Sequence, residues 1–173
     1  SGTLPRLARS LDEQFAVRQP ISIVVETCDP DFPPARWTPS ETEIAICDDL
    51  IEITPDLDTL EAVVRFLSLH EFSHALADTA DIYPTGGRED AADQFAAWML
   101  IESNRAEDVL RAARFLFRDL HTDAEQDPSS EHSFDAQRYF NLLCWTAGAR
   151  PDLTALAGGL PESRLGGCAE EFA

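Results

Sequence analysis

Basic residues are scarce in this chain of 173 residues, and lysine is absent. Only 13 arginines oppose 32 aspartates and glutamates, so the formal net charge is −19. A charge of this sign argues against a nucleic acid or an anionic membrane surface as the partner. It permits a cationic peptide or protein as substrate, although an acidic surface that only keeps the protein in solution would have the same composition.

Long apolar runs are also missing from the sequence. No segment approaches the roughly 18 consecutive apolar residues that a membrane-spanning helix needs, so we expect no membrane span. The chain shows no internal repeat and no sign of a second domain, and its length is enough for one domain with its own hydrophobic core. We therefore predict a single domain over residues 1–173.

Close cysteine pairs are absent too, which argues against a cysteine-based zinc site. The four cysteines form an early pair, Cys28 and Cys47, and a late pair, Cys144 and Cys168. Their spacing favours the disulfides Cys28–Cys47 and Cys144–Cys168, one of three possible connectivities. Paired cysteines would indicate an oxidising compartment, so that the protein is exported, secreted or periplasmic. Four reduced, buried thiols in a cytoplasmic protein are the alternative.

Histidines number only four, but two of them stand in the segment His70-Glu71-Phe72-Ser73-His74. Residues four apart share one face of an α-helix, so both imidazoles can bind one metal ion, and Glu71 can reach a water molecule there as general base. This is the H-E-x-x-H pattern of zinc metallopeptidases, which chance would produce in roughly one such chain in a hundred. The pattern lies in a largely apolar run, Leu57–Ala80, which favours a buried active-site helix.

A third metal ligand is predicted from the segment that follows. Residues 81–87 have the composition of a turn, and an alanine-rich helix begins at Arg88, so a helical hairpin would bring carboxylates back to the histidines. We predict Glu89 as the third ligand and Asp93, four residues on, as the acceptor of a free histidine N–H. Asp90 lies about 100° round the helix from Glu89 and is therefore less suited as a metal ligand. The alternative is that Glu89 and Asp90 only favour a helix N-terminus.

The two motifs together, H-E-x-x-H and then a helix with E-x-x-A-D, resemble the gluzincin arrangement of CAAX prenyl-protease-like peptidases and the small minigluzincins. More closely, the chain resembles a bacterial family of exported metallopeptidase-like proteins whose function is unassigned. The resemblance runs from about residue 20 onward. It implies a zinc peptidase fold with one Zn²⁺ per chain, and a peptide or protein substrate that it does not identify. The shared segments are 70–76, 87–94 and 137–145, with Gly148 and Pro151.

Strand signals precede helix signals along the chain, which predicts an α+β fold. We expect one zincin-like, minigluzincin-like domain with a small N-terminal β-sheet, followed by a mainly helical part. The segments are an N-terminal helix in 3–20, strands in 21–47, metal-site helices in 57–104, C-terminal helices in 105–150 and a tail in 151–173. Residues 29–40 are predicted to be a proline-rich loop and 123–131 a mobile loop. The last long helix should close at Gly148, and the glycine-rich tail should pack little.

These observations predict a zinc metalloendopeptidase in which His70, His74 and Glu89 bind the metal and Glu71 moves the proton from water to the leaving amine. Ligand sets of this kind also accept other divalent ions. Extended substrate would pair with an edge strand beside the active-site helix, for which Glu41–Cys47 is the candidate.

The oxyanion of the reaction needs a further stabilising group, and four side chains are candidates: His132, Tyr139, Arg138 and Tyr83. The resembled family often has a histidine near position 132, so His132 is assigned this role. The rival hypothesis is a zinc-binding protein that is inactive or latent, with the 123–131 loop or the tail over the site. A third hypothesis is a zinc-free protein with a chance motif, whose thermal stability a chelator would not change.

Overall fold

The helix that carries the histidines runs through the centre of the domain. It spans Leu57–Ala80, as the sequence predicts, and contains no glycine or proline. The Asp56 side chain caps its start by accepting a hydrogen bond from the backbone N–H of Thr59, and Asp81 ends it in the left-handed conformation with φ 55°. Neighbouring elements cover this helix on several sides, which explains why both its apolar and its polar side chains are buried.

The computed structural model describes residues 2–29, 32–82, 84–120, 129, 131–155 and 159–172. Its architecture is α+β, as predicted. The described part contains α1 (Thr3–Gln14), β1 (Ser22–Glu26), β2 (Ala35–Thr38), β3 (Glu43–Cys47), α2 (Leu50–Ile53), α3 (Leu57–Ala80), α4 (Arg88–Glu102), α5 (Ala106–Arg114) with a π-helical end (Phe115–Asp119), α6 (Asp135–Ala149), a 3₁₀ turn (Pro151–Leu153), α7 (Glu162–Leu165) and α8 (Cys168–Phe172).

The sheet has the strand order β1-β3-β2, and this corrects two predictions. Residues 29–40 are not all loop, because β2 lies within them between prolines that obscure a four-residue strand. The segment Glu41–Cys47 is not an edge strand, because β3 pairs in parallel with β1 and antiparallel with β2. Strand pairing decides which strand is central, and local sequence does not record it. The edge strand beside α3 is β2.

Both predicted disulfides are confirmed, Cys28–Cys47 and Cys144–Cys168. The first joins the end of β3 to the segment after β1, and the second joins α6 to α8. Two disulfides are typical of proteins from an oxidising, exported compartment. Among the residues that the structure describes, no helix is both long and apolar enough to cross a membrane.

The C-terminal segment agrees with one prediction and corrects another. Gly159 and Gly166 are exposed with open space around them, as expected of a tail that packs little, and Cys168 ties α8 to α6, as the sequence also suggested. Gly148 does not close α6 but lies within it. A Cβ atom at Gly148 would lie 2.2 Å from the carbonyl oxygen of Cys168, so glycine is needed for the close approach of the two helices. The predicted loop at 123–131 falls largely outside the described residues.

The α3–α4 hairpin sets the position of the candidate site. The two helices pack along one another, and an aromatic cluster joins them to the segment after α1. Its rings are Phe15, Phe72 and Phe95, with centroids 5.4 to 6.4 Å apart. Helices α5 and α6 cover α3 and α4 further along. The hairpin therefore holds the first turn of α4 opposite the middle of α3.

Candidate metal centre

Three buried side chains converge between α3 and α4: His70, His74 and Glu89. The Nε2 atoms of the two histidines lie 3.2 Å apart. One carboxylate oxygen of Glu89 is 3.1 Å from His70 Nε2, and the other is 3.3 Å from His74 Nε2. Their spacing on the helices explains this arrangement, because the histidines are one turn apart and Glu89 is in the opening turn of α4.

The two imidazole nitrogens and the Glu89 carboxylate suit a tetrahedral zinc site. A Zn²⁺ ion about 2.0–2.1 Å from each ligand in tetrahedral geometry requires ligand atoms about 3.3 Å apart. The two nitrogens are 3.2 Å apart, and each lies 3.1 or 3.3 Å from one of the two oxygens of Glu89. Two imidazole nitrogens and one carboxylate oxygen are donors that zinc binds in catalytic sites, where the fourth position stays open. Size and chemistry of the donor set therefore fit zinc.

Asp93 lies directly behind His70. The Nδ1–H of His70 donates to Asp93 Oδ1 over 2.8 Å, which leaves Nε2 as the atom that can bind a metal. Arg138 in α6 donates two hydrogen bonds to the same carboxylate, from Nε over 2.7 Å and from Nη2 over 2.8 Å. Its guanidinium also lies 4.2 Å from the ring centroid of Phe117. The chain Arg138–Asp93–His70 thus fixes the orientation of one candidate ligand.

A second network, which sequence reasoning missed, lies behind His74. The Nε–H of Arg88 donates to His74 Nδ1 over 3.2 Å, and its Nη2 donates to Asp78 over 2.8 Å. The indole N–H of Trp37 in β2 donates to the other oxygen of Asp78, also over 2.8 Å. Two features of the sequence could have predicted these residues. Asp78 follows His74 by four residues, on the same face of the helix, and Arg88 directly precedes Glu89.

The contact between Arg88 and His74 also assigns a hydrogen. Because His74 Nδ1 accepts from Arg88, the ring hydrogen of neutral His74 is on Nε2 in this arrangement. Metal binding through Nε2 requires that hydrogen to leave, so the contact with Arg88 must change when a metal binds.

Electrostatics at the cluster favour ionised groups. Burial lowers the pKa of His70, but hydrogen bonds with Asp93 and Glu89 outweigh burial and raise that pKa to about 9. Burial raises the pKa of Glu89, but hydrogen bonds from His132, His70 and His74 hold it far below its usual range. Without a metal, the cluster therefore contains a protonated His70 beside an ionised Glu89. A metal ion would take the place of that proton.

Glu71 faces the cluster from the same helix turn as His70. Its side chain is buried, and burial is the main reason why its pKa lies above the usual value, against the opposing effects of His70 and His74. A raised pKa makes this carboxylate a stronger base than an exposed glutamate, so it can accept a proton from water and later return it.

A surface cleft of about 270 Å³ opens onto the cluster. The structure places His132 in its wall, half-exposed, with Nε2 3.0 Å from Glu89. The other oxyanion candidates do not line this cleft among the described residues. Tyr139 is buried in the core and Arg138 is engaged with Asp93, while Tyr83 lies outside the described residues. The remaining residues of the cleft wall are Pro33, Ala35, Arg36, Trp37, Glu71, His74, Arg88, Glu89 and Glu131.

Asp90, the less suited of the two neighbouring carboxylates, turns away from the histidines. It accepts a hydrogen bond from the Ser133 hydroxyl over 2.9 Å. The structure thus brings together the six site residues predicted from the sequence, and Asp90 is not among them. The six are His70, Glu71, His74, Glu89, Asp93 and, in the wall of the cleft, His132.

Comparison with known proteins gives one match. A family model described as "Putative metallopeptidase" (DUF4344) covers residues 1–173. No curated protein and no solved structure matches the chain.

Proposed function

The chain belongs to the DUF4344 family, and from that premise we propose that it is a zinc-dependent endopeptidase of the H-E-x-x-H, gluzincin type. The observation that carries the proposal is a set of three buried residues, His70, His74 and Glu89, whose ligand atoms lie within 4.8 Å of one another beside an open cleft and a second buried glutamate, Glu71. The family description supports a metallopeptidase in general. The metal, the peptidase type and the residue roles are our proposals.

His70, His74 and Glu89 would hold the zinc ion, and Asp93 would fix the ring of His70. When bound, zinc lowers the pKa of a water molecule and polarises the carbonyl group of the substrate. The burial of the three ligand residues excludes most bulk water, which strengthens the electrostatic effect of every charge around the reacting carbonyl.

Glu71 is the general base in this proposal. It takes the proton of the attacking water and then gives it to the nitrogen of the leaving amine. Its raised pKa, caused mainly by burial, suits both steps, because the carboxylate is basic enough to accept the proton and the acid can release it.

His132 is assigned to the oxyanion, because it is the candidate that lines the cleft beside Glu89. Extended substrate would lie along β2 rather than the segment predicted from sequence. Ala35, Arg36 and Trp37 of β2 line the cleft, and β2 is at the edge of the sheet, so it can present backbone hydrogen-bonding groups to a bound peptide. A peptide paired with such an edge places its own carbonyls at regular spacing. The two disulfides favour a secreted or periplasmic enzyme.

The first experiment measures the zinc content of protein purified without added metal. We expect one zinc per chain in the wild type, loss of zinc in Glu89→Ala, and retention of zinc in the matched neighbour variant Asp90→Ala, whose side chain bonds Ser133 instead. A folded wild-type protein that takes up no zinc, even when zinc is supplied, would refute the proposal.

The second experiment measures hydrolysis of unfolded protein substrates by the zinc-loaded enzyme. Glu71→Gln should abolish turnover and keep zinc, because it removes the base and none of the ligands. Glu102→Gln, an exposed glutamate at the end of α4, is the control and should be fully active. Full activity of Glu71→Gln would overturn the assignment of the base. A wild-type protein that binds zinc without cleaving any substrate would instead favour the binding or latent protein.

A further inference from the structure

A cavity between α1, α3 and α4 lies apart from the metal centre, and we propose that it binds a short aliphatic carboxylate. Its volume is about 210 Å³, below the usual range of sites for drug-sized ligands, so a fitting ligand is small. No described residue lines both this cavity and the catalytic cleft. The inference therefore goes beyond the proposed function and does not depend on it. We call the site the arginine-rimmed cavity.

The lining of the arginine-rimmed cavity follows from the spacing of residues on its helices. Helix α1 contributes residues at positions i, i+3, i+4, i+7 and i+8, which share one helix face: Thr3, Arg6, Leu7, Ser10 and Leu11. Helix α3 contributes Arg65 and Leu69, one turn apart. The end of α4 and the segment after it, which includes Arg105, complete the lining. The same faces thus supply polar and apolar side chains to one cavity.

Three arginines line this cavity, although the chain as a whole is strongly acidic. Arg65 is buried, and its Nη1 lies 2.9 Å from Asp108, while Nη1 of Arg105 lies 3.6 Å from the same oxygen. The two guanidinium groups are therefore neighbours. Glu61 is a second carboxylate beside Arg65, and Arg6 adds the third guanidinium. Three cations and two carboxylates leave one positive charge, which a single carboxylate ligand would balance.

The surface of the cavity itself favours an anion. Neither Asp108 nor Glu61 is among its described lining residues, so the two carboxylates stand behind the guanidinium groups. Thr3, the first residue of α1, lines the cavity, and α1 has neither a side-chain cap nor an acidic residue in its first turn. The free N–H groups at the positive end of that helix add to the positive potential.

Burial separates an apolar floor from the charged mouth. Leu11, Leu69 and Leu100 are 2–3 % exposed, whereas Arg6 and Arg105 are exposed. The leucines therefore form the inner end of the cavity, and the arginines stand where it opens. A ligand that matches both parts has an apolar tail and one anionic head. An inorganic anion would leave the floor unfilled, and an organic cation would meet three arginines.

Calorimetric titration with hexanoate, acetate and hexanol tests the two parts of this ligand separately. Acetate lacks the methylene groups that would cover the floor, and we expect it to bind at least about 10-fold more weakly than hexanoate. Hexanol keeps the tail and lacks the charge, and it should also bind about 10-fold more weakly. The titration is repeated after removal of metal, because a carboxylate can also bind zinc. Hexanoate binding should not change.

Variants at the mouth and in the lining connect that binding to the arginine-rimmed cavity. Arg6→Gln and Arg105→Gln should each weaken hexanoate binding about 3- to 10-fold and leave hexanol binding unchanged, because both change an exposed cation. Arg9→Gln is the matched control, since Arg9 is exposed on α1 and is not among the described lining residues. Leu7→Trp fills the cavity and should abolish binding of both probes. The two arginine variants remain informative if Leu7→Trp does not fold.

Three results would overturn the inference. Hexanoate may bind no more tightly than acetate or hexanol, which removes the match to an apolar tail with one charge. The two arginine variants may bind hexanoate as Arg9→Gln does, which places the anion elsewhere. Hexanoate binding may disappear with the metal, which assigns it to the metal centre. The metallopeptidase proposal would stand in each case, because its residues are not those of this cavity.

Discussion

Replacement of Arg138 by glutamine tests whether the chain of contacts behind His70 supports the metal centre. Arg138 donates two hydrogen bonds to Asp93, whose side chain is 2 % exposed. Asp93 in turn accepts the hydrogen bond from His70. Arg138→Gln removes the cation and leaves the carboxylate buried with one partner fewer.

The expected magnitude follows from the burial of this pair. Breaking a buried ion pair by removing one partner costs about 3–5 kcal/mol, because the remaining charge loses its compensation. Protonated His70 still donates to Asp93, so we expect the lower end of that range. Loss of a group that orients a metal ligand typically lowers metal affinity about 10- to 100-fold. Arg138 acts on the ligand through Asp93, so we expect the lower end of that range for zinc.

Urea unfolding of the metal-free protein measures the stability, and competition with a chromophoric chelator measures the zinc affinity. Arg150→Gln is the matched control, because Arg150 grips Asp152 with two nitrogens in the same way, at 3.0 and 2.8 Å, but at the surface. Loss of that exposed pair should change the stability little and leave zinc affinity unchanged, because water screens the two charges. The reasoning fails if Arg138→Gln is no less stable than Arg150→Gln.

Two other measurements address the cluster and the C-terminal helices. In the metal-free protein, the pKa of His70 rises from 6.5 to about 9 on folding. Protonation of His70 therefore adds about 3 kcal/mol to the free energy of unfolding. The whole of this contribution is present below pH 6.5, and it is lost as the pH rises through 9. Urea unfolding between pH 6 and 10 checks this, and a flat profile would contradict it. Gly148→Ala should lower the free energy of unfolding by about 1–3 kcal/mol, because the Cβ of the alanine would lie 2.2 Å from the carbonyl oxygen of Cys168. Gly166→Ala, with nothing within 4 Å, should be nearly neutral in thermal unfolding.

The local elements of the domain were predictable because their determinants lie within a few residues of one another. The bounds of α3 follow from a largely apolar run without glycine or proline and from the capping residue Asp56. The meeting of His70, His74 and Glu89 follows from helical periodicity and a short turn that returns the chain. Their roles as metal ligands remain a prediction until metal binding is measured.

Long-range pairing accounts for what sequence reasoning missed. β2 was hidden among prolines, and the central position of β3 depends on strands far apart in sequence. The disulfide of Cys168 was predicted, but the close approach of its carbonyl oxygen to Gly148, which places glycine inside α6, was not. Neither contact has a local signature.

The sequence alone determined the α+β order of elements and the residues that could form a metal centre, and it favoured the disulfide pairs without excluding the other two connectivities. Only the tertiary structure decided what surrounds that centre. It showed that Arg138, a candidate for the oxyanion, is the partner of Asp93, and it placed Arg88 against His74. The physical reason is that periodicity fixes which side chains share a face, whereas packing between faces fixes which of them meet.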